Sequence, residues 1–275
     1  MRNNILTILF VFLSMSAVFG QNEKALETYN RGLDFQNAGK LDEALAEYDK
    51  AIALYPKIAD AFNNRANIKL GRGDLTGAIG DYSKAIELKP GDGMAFFNRG
   101  VVYLQTTKYA EAAADFSKAL ETMPNYAMAY NNRGNARADM NDYQGAIADY
   151  DKAAELAPKS FEAFYNRGIA KQLTKDFAGS IADLTVAAQL QPKNVNIYLS
   201  RGLSFEESDK TAAIADYTKA IELDAAQSQA YARRGFILFE QKKKAEARSD
   251  LEKAIELDAS LKGEYGEFLK LAKQP

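Results

Sequence analysis

Asparagines that recur at a constant interval are the residues of this sequence best suited to bind a ligand. Five of them stand 34 residues apart, and an arginine directly follows each one. An asparagine amide offers two N–H donors and an acceptor oxygen, so a row of amides can hold peptide backbone without reading its sequence. Asparagine is a middling to poor helix former, so five in register need a reason. These residues are Asn30, Asn64, Asn98, Asn132 and Asn166.

The arginines are matched by acids at a nearly constant interval. Each of seven arginines precedes a carboxylate by 15 or 16 residues. Because the charges balance copy by copy, we predict ion pairs between two helices rather than the alternative, a ladder for anionic ligands. Exposed pairs of this kind contribute about 0–1 kcal/mol each. The pairs are Arg31 with Glu47, Arg65 with Asp81, Arg99 with Asp115, Arg133 with Asp149, Arg167 with Asp183, Arg201 with Asp216 and Arg234 with Asp250.

The sequence around these residues repeats with the same period. Seven copies start near residues 25, 59, 93, 127, 161, 195 and 228, and the sixth is one residue short around residues 208–210. In the fourth copy, the spacing predicts two helices at about 127–140 and 143–157, separated by a turn and ended by Pro158. A constant period of this length indicates a protein of stacked repeats.

A glycine in the first helix of each copy is predicted to face a large residue in the second helix. Gly134 and Tyr150 form one such pair, and alanine replaces the glycine at Ala66. A glycine within a helix costs roughly 0.5–1 kcal/mol relative to alanine. Its recurrence therefore predicts that the two helices of a copy pack too closely for a side chain at this point.

This pattern resembles the tetratricopeptide repeat family. The resemblance covers about residues 25–259 and rests on the aromatic residue and glycine of the first helix, and on the alanine, aromatic residue and terminal proline of the second. Tryptophan is absent, arginine replaces the usual leucine, and basic residues stand at Lys69, Arg137 and Lys171. The resemblance implies an all-α fold, an α-solenoid of about seven helix-turn-helix repeats in a right-handed superhelix, whose first helices line a concave groove.

In the family's geometry the five asparagines form one stripe in this groove, with apolar and aromatic neighbours beside them. For the apolar neighbours, exposure in the groove and half-buried packing are alternative interpretations. The resemblance therefore implies a groove that binds peptides through Asn30, Asn64, Asn98, Asn132, Asn166, Phe97, Val101, Met128 and Tyr165.

Composition excludes several classes of chemistry. The chain has no cysteine and no histidine, so it lacks disulfides, thiol catalysis, and the commonest general base and metal ligand. A formal net charge of −2 gives no electrostatic indication of nucleic-acid binding. We therefore predict a non-catalytic scaffold or adaptor that needs no cofactor or metal and binds proteins or peptides. The alternative is a structural component of a cell-envelope assembly that docks through its convex face or its ends.

The two ends of the chain differ from the repeats. Residues 1–20 begin with Arg2, continue as an uncharged and mainly apolar run, and close at Gly20, which is typical of a cleaved secretory signal peptide. An uncleaved anchor is the alternative, although the run is short for a membrane span of about 20 residues. After cleavage, residues 21–259 would form the solenoid without a membrane span. Amphipathic residues 260–275 are predicted to be a capping helix, with a partner-binding tail as the alternative.

The N-terminal pattern predicts export to the periplasm of a bacterium or to the outside of the cell. Signal peptidase should cleave after Gly20 and leave Gln21 as the first residue, because small residues precede a polar start there. N-terminal sequencing and the intact mass of protein purified from its native host measure this outcome. Recovery of the full-length chain from the cytosol would contradict the prediction.

Overall fold

A computed structural model describes residues 22–274, and within this range the chain is all α-helical, without a strand. A short 3₁₀ helix, Ala259–Leu261, precedes the last α-helix. The α-helices are α1 (22–37), α2 (Leu41–Leu54), α3 (Ala59–Gly71), α4 (Leu75–Leu88), α5 (Gly93–Gln105), α6 (Tyr109–Thr122), α7 (Ala127–Asp139), α8 (Tyr143–Leu156), α9 (Phe161–Leu173), α10 (Phe177–Leu190), α11 (Val195–Phe205), α12 (Lys210–Leu223), α13 (Ser228–Glu240), α14 (Lys244–Leu257) and α15 (Lys262–Ala272).

The described residues form two compact units, one ending at Ala136 and the other beginning at Arg137. Within each unit, helices joined by a short turn pack in consecutive pairs, such as α3 with α4 and α13 with α14. The predicted all-α fold of helix-turn-helix pairs is therefore confirmed. The helices of the fourth copy, α7 and α8, begin and end within about one residue of their predicted bounds.

Six of the seven turns inside the described helix pairs contain one residue with a left-handed backbone. Glycine provides it at Gly39, where φ is 73°, and at Gly73, where φ is 79°, because it has no Cβ to clash. The next residue, Asp74, caps α4 by accepting a backbone N–H of its first turn. The deletion in the sixth copy falls in the equivalent turn, between the end of α11 at Phe205 and the start of α12 at Lys210.

A large side chain of the second helix lies against the glycine of the first helix in a pair. Phe116 of α6 is fully buried, and a Cβ added at Gly100 of α5 would lie only 2.9 Å from a carbon of its ring. Tyr48 of α2 stands over Gly32 of α1 in the same way, at 2.6 Å. The predicted close approach of the paired helices is confirmed, and the alternation of small and large residues fills the interior at native density.

The last helix, α15, covers apolar residues at the end of the second unit. Leu261 and Tyr265 are both buried. The rings of Phe268 on α15 and Phe236 on α13 meet edge to face, with centroids 4.8 Å apart. On the other side of α15, Lys270 is exposed to solvent. This helix occupies most of residues 260–275, and the capping role of that segment stays a prediction.

The predicted signal peptide, residues 1–20, lies outside the described residues. From residue 22 to residue 274, none of the helices combines the length and the apolar character that crossing a bilayer requires. Cleavage and export therefore stay predictions.

Replacement of Gly100 by alanine should destabilise the protein, because the added Cβ would overlap the ring of Phe116. We expect the free energy of unfolding to fall by about 1–3 kcal/mol, the usual cost of overpacking. Gly80→Ala in α4 is the matched control, since no atom lies within 4 Å of its added Cβ. That change should raise stability by roughly 0.5–1 kcal/mol. Urea denaturation measures both values, and equal stabilities of the two variants would contradict the packing assignment.

Candidate functional site

The repeated arginines bind the buried acids of their own helix pairs. Nε and Nη2 of Arg99 on α5 donate to the two carboxylate oxygens of Asp115 on α6, at 2.7 and 2.8 Å. Asp115 is only 5% exposed. Six of the seven predicted ion pairs between helices are therefore confirmed, and the pair of Arg133 with Asp149 stays a prediction. The expectation of exposed pairs is wrong, because the acid lies inside the helix pair. Nε also donates to a carboxylate oxygen in the pairs of Arg31 with Glu47, Arg65 with Asp81, Arg167 with Asp183, Arg201 with Asp216 and Arg234 with Asp250.

The remaining guanidinium nitrogen of five of these six arginines, all except Arg31, reaches the preceding helix pair. Nη1 of Arg99 donates to Oγ of Ser83 on α4 at 2.9 Å, and Nη1 of Arg65 donates to Asp49 on α2 at 2.6 Å. Arg99 also lies over the rings of Phe96 and Tyr103. Hydrogen bonding to Asp115 is the main cause that raises the pKa of Arg99. The arginine ladder is thus occupied by protein groups, which disfavours its use for anionic ligands.

Three basic residues that depart from the family pattern contact the same buried acids. Nζ of Lys69 lies 2.8 Å from Oδ2 of Asp81, and Nζ of Lys171 lies 2.9 Å from Oδ2 of Asp183. Sequence reasoning missed this role. The available signal was that each cation lies four residues after the repeated arginine, which places both on one side of a helix. The third contact joins Arg137 to Asp149.

Asparagines of the first unit join neighbouring first helices to one another. Nδ2 of Asn64 on α3 donates to the Tyr29 hydroxyl on α1 at 3.0 Å. Nδ2 of Asn98 on α5 donates to Oδ1 of Asn67 on α3 at 3.3 Å. The Tyr82 hydroxyl of α4 donates to the same oxygen of Asn67 at 2.6 Å. We call Tyr29, Asn64, Asn67 and Asn98 the amide face.

Some side-chain polar atoms of the amide face have no partner within the described chain and can therefore bind a ligand. Within residues 22–274, Oδ1 of Asn64, Nδ2 of Asn67 and Oδ1 of Asn98 have no hydrogen-bond partner. They are also accessible to solvent. In this range one side-chain polar atom is both buried and without a partner, and it is a different one, Oδ1 of Asn63. The face therefore presents both donors and acceptors, which matches the two polar groups of a peptide bond.

The tyrosines around this face are protonated near neutral pH, and burial moves their pKa values further above it. Burial raises the pKa of Tyr82, whose protonated hydroxyl acts as a donor near neutral pH. Burial is also the largest cause that raises the pKa of Tyr29, followed by the charge of Asp60. The hydrogen-bond pattern of the amide face is therefore constant over the physiological pH range.

Phe97 does not belong to the exposed surface, contrary to the expectation of a groove aromatic. It is 8% exposed and packs against Phe116 and Tyr126, with ring centroids 5.7 and 4.8 Å away. The physical reason is its position between its own helix pair and the segment leading to α7, where a large ring fills the interior. Phe97 is therefore a core residue.

The other predicted groove residues differ in exposure. Met128 on α7 is 56% exposed, whereas Val101 and Tyr165 are half-buried. Asn30 is exposed and Asn132 is half-buried, both in the first unit. Asn166 lies in the second unit, where it is half-buried and interacts with another residue. A ligand-binding role for these residues, and the single stripe through all five asparagines, stay predictions.

The acidic side chains do not assemble into a metal centre in the part of the chain that the structure describes. No cluster of three or more potential ligands occurs there. The acids buried between paired helices are instead held by arginines and lysines, as Asp81 is by Arg65 and Lys69.

The repeated helix pairs, together with the glycine-to-aromatic contacts and the ion pairs inside them, define a helical-repeat protein. Three tetratricopeptide repeat models match the sequence over residues 29–93 and 64–127, 134–174, and 228–260, which together make up more than half of the chain. The chain belongs to the tetratricopeptide repeat family. No match was found among curated protein sequences.

Solved structures with the same fold include several bacterial repeat proteins. The C-terminal part of a repeat-containing protein from Cytophaga hutchinsonii has a TM-score of 0.73 at 15% identity, covering 90% of this chain and 100% of that one. A tetratricopeptide repeat protein from Parabacteroides merdae has a TM-score of 0.62 at 23% identity, covering 92% and 100%. YrrB has a TM-score of 0.61 at 22% identity, covering 66% and 95%. At these identities the similarity concerns the fold.

Arg99→Met should strongly destabilise the protein, because it leaves the buried Asp115 carboxylate without its cation. We expect a loss of about 3 kcal/mol in the free energy of unfolding. Lys118→Met is the control, since its pair with Glu121 is more than half exposed on both sides and should contribute at most about 1 kcal/mol. Chemical denaturation of each variant measures the loss.

The double variant Arg99→Met with Asp115→Leu identifies the cause of that loss. Replacement of a buried ion pair by apolar residues is often neutral, so the double variant should recover most of the lost stability. If it is as unstable as Arg99→Met alone, the unpaired carboxylate is not the source of the effect.

Proposed function

We propose that this protein is a non-catalytic scaffold that binds extended peptide or protein segments along the amide face of its first unit. The observation that carries the proposal is the set of accessible polar atoms on Asn64, Asn67 and Asn98. Their partners on α1, α3 and α4 hold these amides in place before a ligand arrives. Groups that are ordered in advance lose less conformational entropy on binding.

Extended polypeptide is the ligand that this chemistry favours. An extended chain offers C=O and N–H groups along its length, and every peptide bond presents the same pair of groups. Amide side chains can bind both groups and discriminate little between sequences. Met94 and Met128, which are 42% and 56% exposed, add flexible apolar surface in the same unit. Methionine adapts to apolar side chains of different shape.

The comparison with YrrB supports the same class of ligand. YrrB is described as a tetratricopeptide repeat protein with an unusual peptide-binding site. At 22% identity this chain shares its fold, so peptide binding here rests on the amide face of this chain.

The distribution of charged groups supports a binding role rather than catalysis. The buried acids are held in ion pairs, as Asp115 is by Arg99 and Asp183 is by Lys171. A general base needs access to the proton that it removes, and these carboxylates are covered by their cations. The N-terminal sequence further supports a site of action in a bacterial periplasm or outside the cell.

The double variant Asn64→Ala with Asn98→Ala tests the proposed function. A linear peptide that binds the wild-type protein is first selected from an array of unstructured sequences. Each lost hydrogen bond should cost about 0.5–1.5 kcal/mol, so the double variant should lose about 1–3 kcal/mol of binding free energy. Calorimetry measures the affinity, and circular dichroism checks the fold.

Asn125→Ala is the matched control, because it removes an exposed amide from the turn before α7. Its affinity should equal that of the wild type. Failure of every arrayed peptide to bind, or equal affinities of the double variant and the wild type, would contradict the proposed function.

A further inference from the structure

We infer that the Tyr82 hydroxyl is a positioning group for the amide face and that it orients Asn67 and Asn98 to select a ligand residue with both a C=O and an N–H. This inference rests on the proposed function. It adds a specific requirement: at this point of the ligand, a proline or an N-methylated residue should be rejected. It also assigns a role to a residue of the core.

The Tyr82 ring is fixed by the interior of its helix pair. The side chain is fully buried, with 0% exposure, and belongs to a cluster with Ala66, Ala78 and Val102. Because the ring cannot move away, its hydroxyl lies at a defined place beside the first helix, α3. From there it donates to Oδ1 of Asn67 at 2.6 Å.

Two donors converge on this one oxygen of Asn67. The second is Nδ2 of Asn98, at 3.3 Å. Reversal of the Asn67 amide would place its NH₂ group opposite the Asn98 NH₂ group and would leave the proton of the buried Tyr82 hydroxyl without an acceptor. Buried polar groups without a partner are costly. The chain from Tyr82 through Asn67 to Asn98 therefore favours one orientation of both amides.

This orientation determines which atoms a ligand meets. Nδ2 of Asn67 and Oδ1 of Asn98 are the accessible polar atoms of the pair without partners in the described chain. Nδ2 donates to a ligand C=O, and Oδ1 accepts from a ligand N–H. An ordinary residue of an extended chain supplies both groups, whereas proline supplies only the C=O.

The neighbouring helix pairs of the first unit lack the chain of hydrogen bonds that Tyr82, Asn67 and Asn98 form. The Tyr48 hydroxyl of α2 donates to Oε1 of Gln36 at 2.6 Å and interacts with the amide of Asn64, not with that of Asn67. Phe116 occupies the corresponding position in α6 and has no hydroxyl. Within the first unit, the structure assigns the selective position to α3 and α5. In the second unit, the buried Tyr217 hydroxyl donates to Oε1 of Glu206 at 2.6 Å, and Tyr217 provides a matched control.

Tyr82→Phe tests the positioning role, because it removes the hydroxyl and keeps the ring. The probes are the peptide selected for the wild type and a series in which one backbone nitrogen at a time is methylated. In the wild type, methylation at one position should weaken binding about tenfold. Tyr82→Phe should weaken binding of the parent peptide about threefold and reduce the penalty at that same position. Tyr217→Phe, with the corresponding loss of a buried hydroxyl in the second unit, should retain the wild-type pattern.

The outcomes separate this inference from the proposed function. If Asn64→Ala with Asn98→Ala weakens binding but Tyr82→Phe retains the wild-type methylation pattern, the positioning role is wrong and the proposed function stands. If Tyr82→Phe weakens all peptides by the same factor, its effect is general and the inference is also overturned. If no arrayed peptide binds the wild type, both are overturned. Melting temperatures of the variants check that the fold is retained.

Discussion

A buried carboxylate inside each helix pair is the constraint on which the packing of this protein depends. Asp115 is 5% exposed, and Asp216 is equally buried. Without a partner, a charge at this depth would cost several kcal/mol, so a cation must stand opposite it. Arg99 meets this need with two N–H groups and uses a third nitrogen to reach Ser83 in the preceding pair. One side chain therefore links both the helices of a pair and consecutive pairs.

The position of Arg99 also explains why Asn98, the residue before it, can contact a neighbouring first helix. Successive residues of a helix point about 100° apart. Because Arg99 and Gly100 turn toward α6, Asn98 turns away from that contact and meets Asn67 on α3 instead. Repetition of the pair then places an amide at the corresponding point of α1, α3, α5 and α7. The packing requirement of the interior thus directs the residue before the arginine away from its own helix pair.

The interior and the polar surface are connected through tyrosine hydroxyls. A ring such as Tyr82 fills the space over the first helix, while its hydroxyl needs a partner because it is buried. Asn67 is that partner, and its amide is in turn bonded to Asn98. The core therefore orders side chains that solvent would otherwise leave mobile. An ordered amide pair suits the binding of peptide backbone because less entropy remains to be lost.

The sequence by itself determined the repeat, the helix bounds, the glycine-to-aromatic contacts and the arginine-to-acid pairs, because these features join residues of one copy across a short turn. Only the tertiary structure decided that Phe97 is buried, that Arg99 reaches Ser83, and that Asn67 and Asn98 are bonded to each other. These contacts join different copies, so they depend on the distance and angle at which one helix pair stacks on the next. Spacing along the chain specifies which residues face a turn or a partner helix, whereas stacking selects the rotamers and the partners between copies.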